Sequence, residues 1–415
     1  MSPSSIGGGV YRKGARFMDS IVLYTEEIDD LEEAAAEIFA KAEDFPLKDH
    51  SLALLFTDED VDFPALYHAL STRWHFPIVG CTSMGMLGRQ GYLGIGISVL
   101  LFTADDCYFA VDMTGELDSS NYQEEIAWTY RTLRSQLPFP PKLILSYGGM
   151  FEAEQNVSGD DVVEAINAAG GKNVPLFGGL AADGFNFTGF RVFCNGRTVK
   201  TGQLLVLVAG AVDPKFVTIN SVETRANFSY EVTEARHNQV FHLGSGTFLE
   251  ALEHEDMAVN KSNVLGDYLL SPFVLTLKRE NGDSVEVARN LHALDHETGA
   301  GAFLGAVPEG SILSVGIIGR TDVQKSVRQA FDKIFEEIAA SNGKYKTLLC
   351  TSCCARFLAL ASNTKEETDA YIDRLPDDVS LLGIYAYGEY CPVKGNRTGD
   401  SYNLFHNFTF TIMAI

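Results

Sequence analysis

The sequence repeats one plan three times, and that repetition restricts the chain to layered α/β architectures. Leu52–Phe56, a helical stretch and FPIVGCTSMG (76–85) lead into the strand-like run GYLGIGISVLLFT (91–103). Leu143–Tyr147, a helix and VPLFGGLAADG (174–184) lead into apolar runs near 191–199 and 203–210. Thr347–Cys350, two helices and SLLGIYAYGE (380–389) lead into the final strand. Each copy reads strand, helix, apolar strand ending in glycine, small-residue turn, returning strand. The copies are too divergent for a solenoid, whose period is fixed. A shared supersecondary plan of the kind an old duplication leaves is the better account.

Strands that alternate with helices but also have returning neighbours predict a mixed α/β (α+β) fold. Its sheets should be partly antiparallel and flanked by helices. Asp30 with Glu33 and Ser158 with Asp161 resemble capping boxes that open helices. Thr321–Gln324 opens a longer helix that should stop at Asn342-Gly343, and Thr364–Glu367 opens another that Pro376 ends. Residues 221–320 read as strand-rich, with LHALDHETGAG as a solvated loop in which His292 and His296 hold no metal. At 415 residues the chain is too long for one ordinary core. Two modules follow, 21–220 and 221–415, after a disordered lead-in at 1–20 that lacks the apolar core of a signal peptide.

A net charge of −23 repels phosphate backbones and anionic lipid, which argues against nucleic acid and membrane as partners. The longest apolar run, Gly91 to Ala104, is glycine-interrupted and too short to span a bilayer. Seven cysteines, an odd number without regular spacing, suit reduced thiols and a cytoplasmic setting.

Chemistry concentrates in the C-terminal half. The strand ending in Tyr387-Gly388-Glu389 and the strand ending in His406-Asn407 place an acid, an imidazole and an amide in apolar surroundings. There they need partners or something bound. Arg356, flanked by Cys354, Phe357 and Leu358, would be costly to bury alone. It either pairs with Glu389 or holds a ligand carboxylate. The cluster Cys350-Thr-Ser-Cys353-Cys354 admits redox chemistry, a nucleophilic Cys354 or plain packing, and its lone C-x-x-C makes no zinc site. Gly178-Gly179-Leu-Ala-Ala-Asp183-Gly184 is either a ligand-cradling turn or a bare one, as is Gly80–Gly85.

These residues resemble the FIST family (F-box and intracellular signal transduction proteins). IVGCTSMG and PLFGGLAADG are similar to signatures of its N-terminal module. VPEGSILSVGIIGRTD, CCARFLAL, GIYAYGEYCPV and FHNFTFTI are similar to those of its C-terminal module, in the family's order. Departures are Ala355, where the family usually has glycine, and a weak match over 219–229. The resemblance implies a cytoplasmic sensor that binds a small ligand such as an amino acid. Such a sensor would act through a separate partner, a histidine kinase or a cyclic-nucleotide enzyme such as a diguanylate cyclase. It implies a site at Gly178, Gly179, Asp183, Cys354, Arg356, Glu389, His406 and Asn407. Arg356 would hold an anionic group, Glu389 a cationic one, and the Gly178–Gly184 turn would supply amides. No cofactor, metal or turnover is expected. The alternatives are a haem-based nitric-oxide sensor with His406 as axial ligand, an enzyme with Cys354 as nucleophile and His406 as base, and an interaction scaffold.

Overall fold

A computed structural model describes residues 18–151, 157–222, 224–257, 264–341, 345–361 and 363–415. Most of the expected lead-in and the expected Asn342-Gly343 helix stop lie outside the described residues.

The threefold plan is present as three units. The first contains β1 (Asp19–Thr25), α1 (Leu31–Lys41), β2 (His50–Thr57), α2 (Phe63–Ser71), β3 (Ile78–Thr82), the hairpin β4 (Met86–Gly88) and β5 (Gly91–Leu93), and β6 (Ile97–Ala104). The second contains β7 (Cys107–Met113), α3 (Tyr122–Gln136), β8 (Pro141–Gly148), α4 (Gly159–Gly170), β9 (Leu176–Leu180), the hairpin β10 (Val192–Cys194) and β11 (Arg197–Val199), and β12 (Gln203–Gly210). The third opens with β13 (Lys215–Asn220) and is interrupted by an insertion. That insertion runs β14 (Thr224–Arg236), β15 (Gln239–Leu243), β16 (Gly246–Thr247), α5 (Phe248–His254), α6 (Val264–Tyr268), β17 (Phe273–Lys278), β18 (Ser284–Arg289), β19 (Leu291–Asp295), β20 (Ala300–Phe303) and β21 (Ile312–Ile317). The unit resumes with α7 (Arg320–Ala340), β22 (Thr347–Cys353), α8 (Cys354–Ala359), α9 (Lys365–Asp369), β23 (Ser380–Ala386), the hairpin β24 (Glu389–Lys394) and β25 (Ser401–His406), and β26 (Thr409–Ala414).

Each unit lends its hairpin to another unit's sheet. The strand orders are β1-β6-β2-β3-β10-β11, β25-β24-β9-β8-β12-β7 and β13-β26-β22-β23-β4-β5. The first unit's hairpin therefore completes the third sheet, the second's the first, and the third's the second. The exchange is cyclic, and backbone bonds close the ring of strand ends: Ala182 N to Thr82 O (3.1 Å), Leu180 N to Gly388 O (2.8 Å) and Tyr385 N to Gly85 O (3.0 Å). A boundary at residue 220 falls between β13 and β14, and each of these three sheets draws on two units.

Side-chain alternation explains the layers. Along β2, Leu52, Leu54 and Phe56 face a core shared by all three units, while Ala53 and Leu55 face α1 and α2. Asp30 caps α1 by accepting from Glu32 N and Glu33 N, and Ser158 with Asp161 forms the expected capping box on α4. The insertion makes the fourth, antiparallel sheet, order β18-β17-β21-β14-β15-β20-β19. It has its own core around Phe228, Phe248, Phe273 and Phe303. Within it LHALDHETGAG is not a loop. It supplies β19 and β20, paired from Leu291↔Phe303 to Asp295↔Ala300, because cross-strand bonds override its polar composition.

The hairpin exchange gives three equivalent strand registers. The central parallel pairs match Leu55 with Gly80, Ser146 with Gly178 and Cys350 with Gly383. One residue on, the borrowed hairpins dock at Cys81↔Val192, Gly179↔Glu389 and Ile384↔Met86. Two residues on, the strand ends pair as Thr57↔Thr82, Gly148↔Leu180 and Ser352↔Tyr385.

Candidate functional site

Arg356 is wholly buried on α8, but Glu389 is not its partner. Its Nη2 donates to Glu367 Oε1 at 2.8 Å, and both side chains are 0% exposed. Its Nε donates to Ser352 Oγ (3.0 Å), and its Nη1 donates to Ser326 Oγ (2.8 Å) and to Ser221 Oγ. Ser352 and Tyr385 donate to the two oxygens of Glu367, and the guanidinium lies over the Phe410 ring at 5.3 Å. All three nitrogens of Arg356 are thus engaged, so the anion-holding role expected of it is corrected to a buried ion pair. The sequence read Glu367 as a helix cap. Thr364 makes no such cap bond, because the carboxylate turns inward to neutralise a cation that burial would otherwise strand.

Glu389, His406 and Asn407 do come together. Glu389 opens β24 directly across from His406 at the end of β25, and both are buried, at 0% and 1%. Glu389 Oε2 accepts from Thr409 Oγ1 at 2.6 Å and Thr409 N at 3.3 Å. His406 Nε2 meets Cys391 O at 3.0 Å, which assigns its proton to Nε2. Asn407 Nδ2 reaches Tyr387 O at 3.5 Å. Glu389 Oε1, His406 Nδ1 and Asn407 Oδ1 are buried without partners. Burial pushes the Glu389 carboxyl up to about 8, against the opposing Thr409 bonds and the nearby Arg356 charge. Burial likewise lowers His406 to about 4. At neutral pH the pair is therefore largely uncharged.

The equivalent positions in the other units are apolar. Across the first hairpin the pair is Met86↔Leu93, and across the second Val192↔Val199. The backbone arrangement is satisfied by hydrocarbon twice, so packing alone does not call for Glu389 and His406.

The remaining expected residues are structural in their contacts. Gly178 and Gly179 are not an amide-presenting turn. They lie within β9, paired to β8 on one side and β24 on the other. A Cβ on Gly178 would sit 1.8 Å from Ser146 O, so strand approach requires glycine there. Asp183 accepts from the amides of Phe187 (3.1 Å), Thr188 (2.9 Å) and Gly189 (2.8 Å), and from Tyr387 Oη. Burial would raise its carboxyl, but those donors outweigh burial and hold it below its ordinary range. Asp183 organises its own loop. Cys354 starts α8, its thiol pushed well up by burial and by the negative fields of Cys353, Glu389 and Asp183. Such a thiol is a poor nucleophile. All seven cysteines are unbridged and buried.

Open space lies elsewhere. A groove of about 570 Å³ runs between α3 and α4, with Tyr122, Arg131, Asp161 and Glu164 on its walls. A cleft of about 240 Å³ opens at the ends of β2 and β3, where Thr57, Glu59, Asp62, Thr82 and Arg191 meet Phe63 and Phe193. None of the eight residues expected from sequence lines either. No sequence signal singled out Thr57 or Glu59, which end a strand and begin an acidic turn. Only the second unit's hairpin, distant in sequence, makes them a wall.

Residues 51–245 match the FIST N domain and residues 249–392 the FIST C domain. The chain belongs to the FIST family. FIST domains are small-ligand-binding signal-transduction domains. Among solved structures, this FIST chain is similar to a chorismatase, at 10% identity, TM-score 0.38, and coverage of 97% of this chain and 100% of that one. It is also similar to a cyanuric acid hydrolase, at 7% identity, TM-score 0.34, and coverage of 96% and 99%. A search of curated proteins found no match. Among the described residues, no helix of this FIST protein is long and apolar enough to cross a membrane, and no group of three or more His, Cys, Asp or Glu could hold a metal ion. Haem does not fit at His406: the ring is 1% exposed, Nε2 is engaged by Cys391 O, and neither cavity described above is walled by a histidine.

Proposed function

We propose that this FIST protein is a sensor whose small ligand engages Glu389, His406 and Asn407. The signal would pass without turnover to a separate partner, a histidine kinase or a cyclic-nucleotide enzyme. One observation carries the reading. A buried acid–imidazole pair with open atoms stands where two equivalent hairpins place hydrocarbon. Leaving such groups unpaired costs about 1–3 kcal/mol each, which a ligand with hydrogen-bond donors would recover. An amino acid brings three N–H donors on its ammonium group; once Glu389 gives up the proton that burial keeps on it, Glu389 Oε1, His406 Nδ1 and Asn407 Oδ1 are three acceptors for them. Because Arg356 is spent on Glu367, the amino end is the end recognised. The cluster is enclosed, so entry requires the β24–β25 hairpin to shift. Binding is thereby tied to a change of state.

The test copies the first unit into the third. Glu389→Met with His406→Leu reproduces the Met86–Leu93 pair and should fold at least as stably as the natural chain. Titration calorimetry with an amino-acid panel, supported by native mass spectrometry of the purified protein, should show binding to the natural chain and none to this variant. Equal binding by both would refute the assignment.

A further inference from the structure

We infer that the cleft at the ends of β2 and β3 is a second binding site, built for a small organic ammonium ion. Thr57 lies at the end of β2, 0% exposed, and its Oγ1 has no partner while it lines the cleft. The equivalent hydroxyl in the third unit, Ser352 Oγ, is fully used between Arg356 and Glu367. A buried, partnerless hydroxyl in the wall of a cleft is therefore particular to the first unit.

The walls specify the ligand's charge. Glu59 and Asp62 line the cleft, and Asp58 and Asp60 flank them in the same turn. Asp62 is spent on the Ala65 amide as the cap of α2 (3.1 Å). The Glu59 carboxylate has only long bonds, from Gly184 N at 3.3 Å and Asn186 Nδ2 at 3.4 Å. Arg191 is the one cation on the lining, and its Nη1 is taken by the carbonyls of Thr188 (2.8 Å) and Phe190 (2.6 Å). The balance is negative, which favours a cation. The floor is apolar, with Val61, Pro64 and the stacked rings of Phe63 and Phe193, centroids 3.7 Å apart. A small apolar floor beside carboxylates suits an ammonium head on a short hydrocarbon body. At about 240 Å³ the space is below the roughly 300–1,000 Å³ of drug-sized pockets, so the ligand is small. Its head would donate to Glu59 and, after a small shift of the wall, to Thr57 Oγ1, and its body would lie against Pro64 and Val61. Glu59 is also tied to the loop that Asp183 organises, so occupancy would tighten the junction of the first two units.

Titration calorimetry of the full chain with n-butylamine, norvaline and valerate tests this. The three share a chain length and carry an ammonium group, both charges, or a carboxylate alone. Butylamine should bind and valerate should not. Glu59→Gln should weaken butylamine at least about tenfold, as expected for loss of a charged partner, and Thr57→Val should weaken it severalfold. The Glu389→Met/His406→Leu variant should lose only heat that comes from the sensing cluster and should keep the Glu59-dependent part of butylamine binding, so failure of the sensing cluster would leave this signal standing. Valerate binding as tightly as butylamine, full binding by Glu59→Gln, or no heat from butylamine at millimolar concentration would each overturn the inference.

Discussion

The ends of β2 and β3 and the ends of β22 and β23 are one structural position occupied in two ways. In the third unit, Ser352 and Tyr385 pair in register and bind Glu367, which neutralises Arg356. In the first unit, Thr57 and Thr82 pair in the same register, but no ion pair fills the space above them and a cleft remains. The backbone permits either outcome. What decides is whether the following segment turns a charged pair inward, as α8 and α9 do, or turns its carboxylates toward an opening, as Asp58–Asp62 does.

The sealed version should be the more fragile to single changes. Glu367→Ala leaves Arg356 charged and buried, and breaking such a pair costs about 3–5 kcal/mol. The urea midpoint should fall accordingly. Replacing both members by Leu should recover most of the loss, because hydrocarbon of similar volume often substitutes for a buried pair. A loss under about 1 kcal/mol for Glu367→Ala would mean that solvent reaches Arg356 and that the third unit is not sealed.

Glycine at the strand crossings offers a second contrast. A Cβ on Gly80 would lie 1.7 Å from Leu55 O, a backbone atom that cannot move aside. The equivalent Cβ on Gly383 would meet Cys350 Sγ at 2.2 Å, a side chain free to rotate, with the nearest backbone atom at 3.2 Å. Gly80→Ala should therefore cost about 3 kcal/mol and Gly383→Ala about 1 kcal/mol, within the range for overpacking. Thermal unfolding of the two variants side by side gives the comparison, and equal losses would show that the Cys350 side chain yields no more than the Leu55 backbone does.

The sequence makes the recurring plan legible because each copy marks its central strand with glycine, and Gly80, Gly178 and Gly383 do sit in equivalent crossings. The hairpin exchange was not legible: nothing in Met86–Leu93 says that its strand partner is Ile384, almost 300 residues away. The same reason hid the site. Arg356 was recognisable as a cation needing a partner, but Glu367 lay in a segment whose local pattern signalled a helix cap. Glu389 and His406 were found because polar residues interrupt otherwise apolar strands. Thr57 was not, because a threonine ending a strand is unremarked until an opening is seen beside it.

Acidity separates the third hairpin from the first. Folded Glu389 titrates near 8 rather than at its ordinary 4.5, so between those values the native state holds the extra proton and stability falls as pH rises. His406 titrates near 4 rather than 6.5, so the unfolded chain holds the extra proton there and stability rises with pH up to about 6.5. The two offset each other below that point. From about pH 6.5 to 8 Glu389 acts alone, at no more than about 1.4 kcal/mol per pH unit. Urea unfolding should show the natural chain losing roughly 2 kcal/mol over this interval, a loss absent from the Met–Leu variant. Parallel profiles for the two proteins would show that Glu389 is not held neutral.

The smallest expected effect bears most directly on the contrast between the two strand ends, because it differs in sign. Ser352→Ala removes a hydroxyl that accepts from Arg356 and donates to Glu367, and should destabilise by about 1–2 kcal/mol, as loss of a bond to a charged group does. Thr57→Val removes a hydroxyl that is buried with no partner and keeps nearly the same shape. It should be neutral or stabilising by up to about 1 kcal/mol, since a desolvated polar group is exchanged for a methyl that needs none. The two residues share one register, so a difference in backbone cannot explain opposite signs. If Thr57→Val destabilises as much as Ser352→Ala, the Thr57 hydroxyl already has a bonding partner in the folded chain, and the cleft above it is not waiting for one.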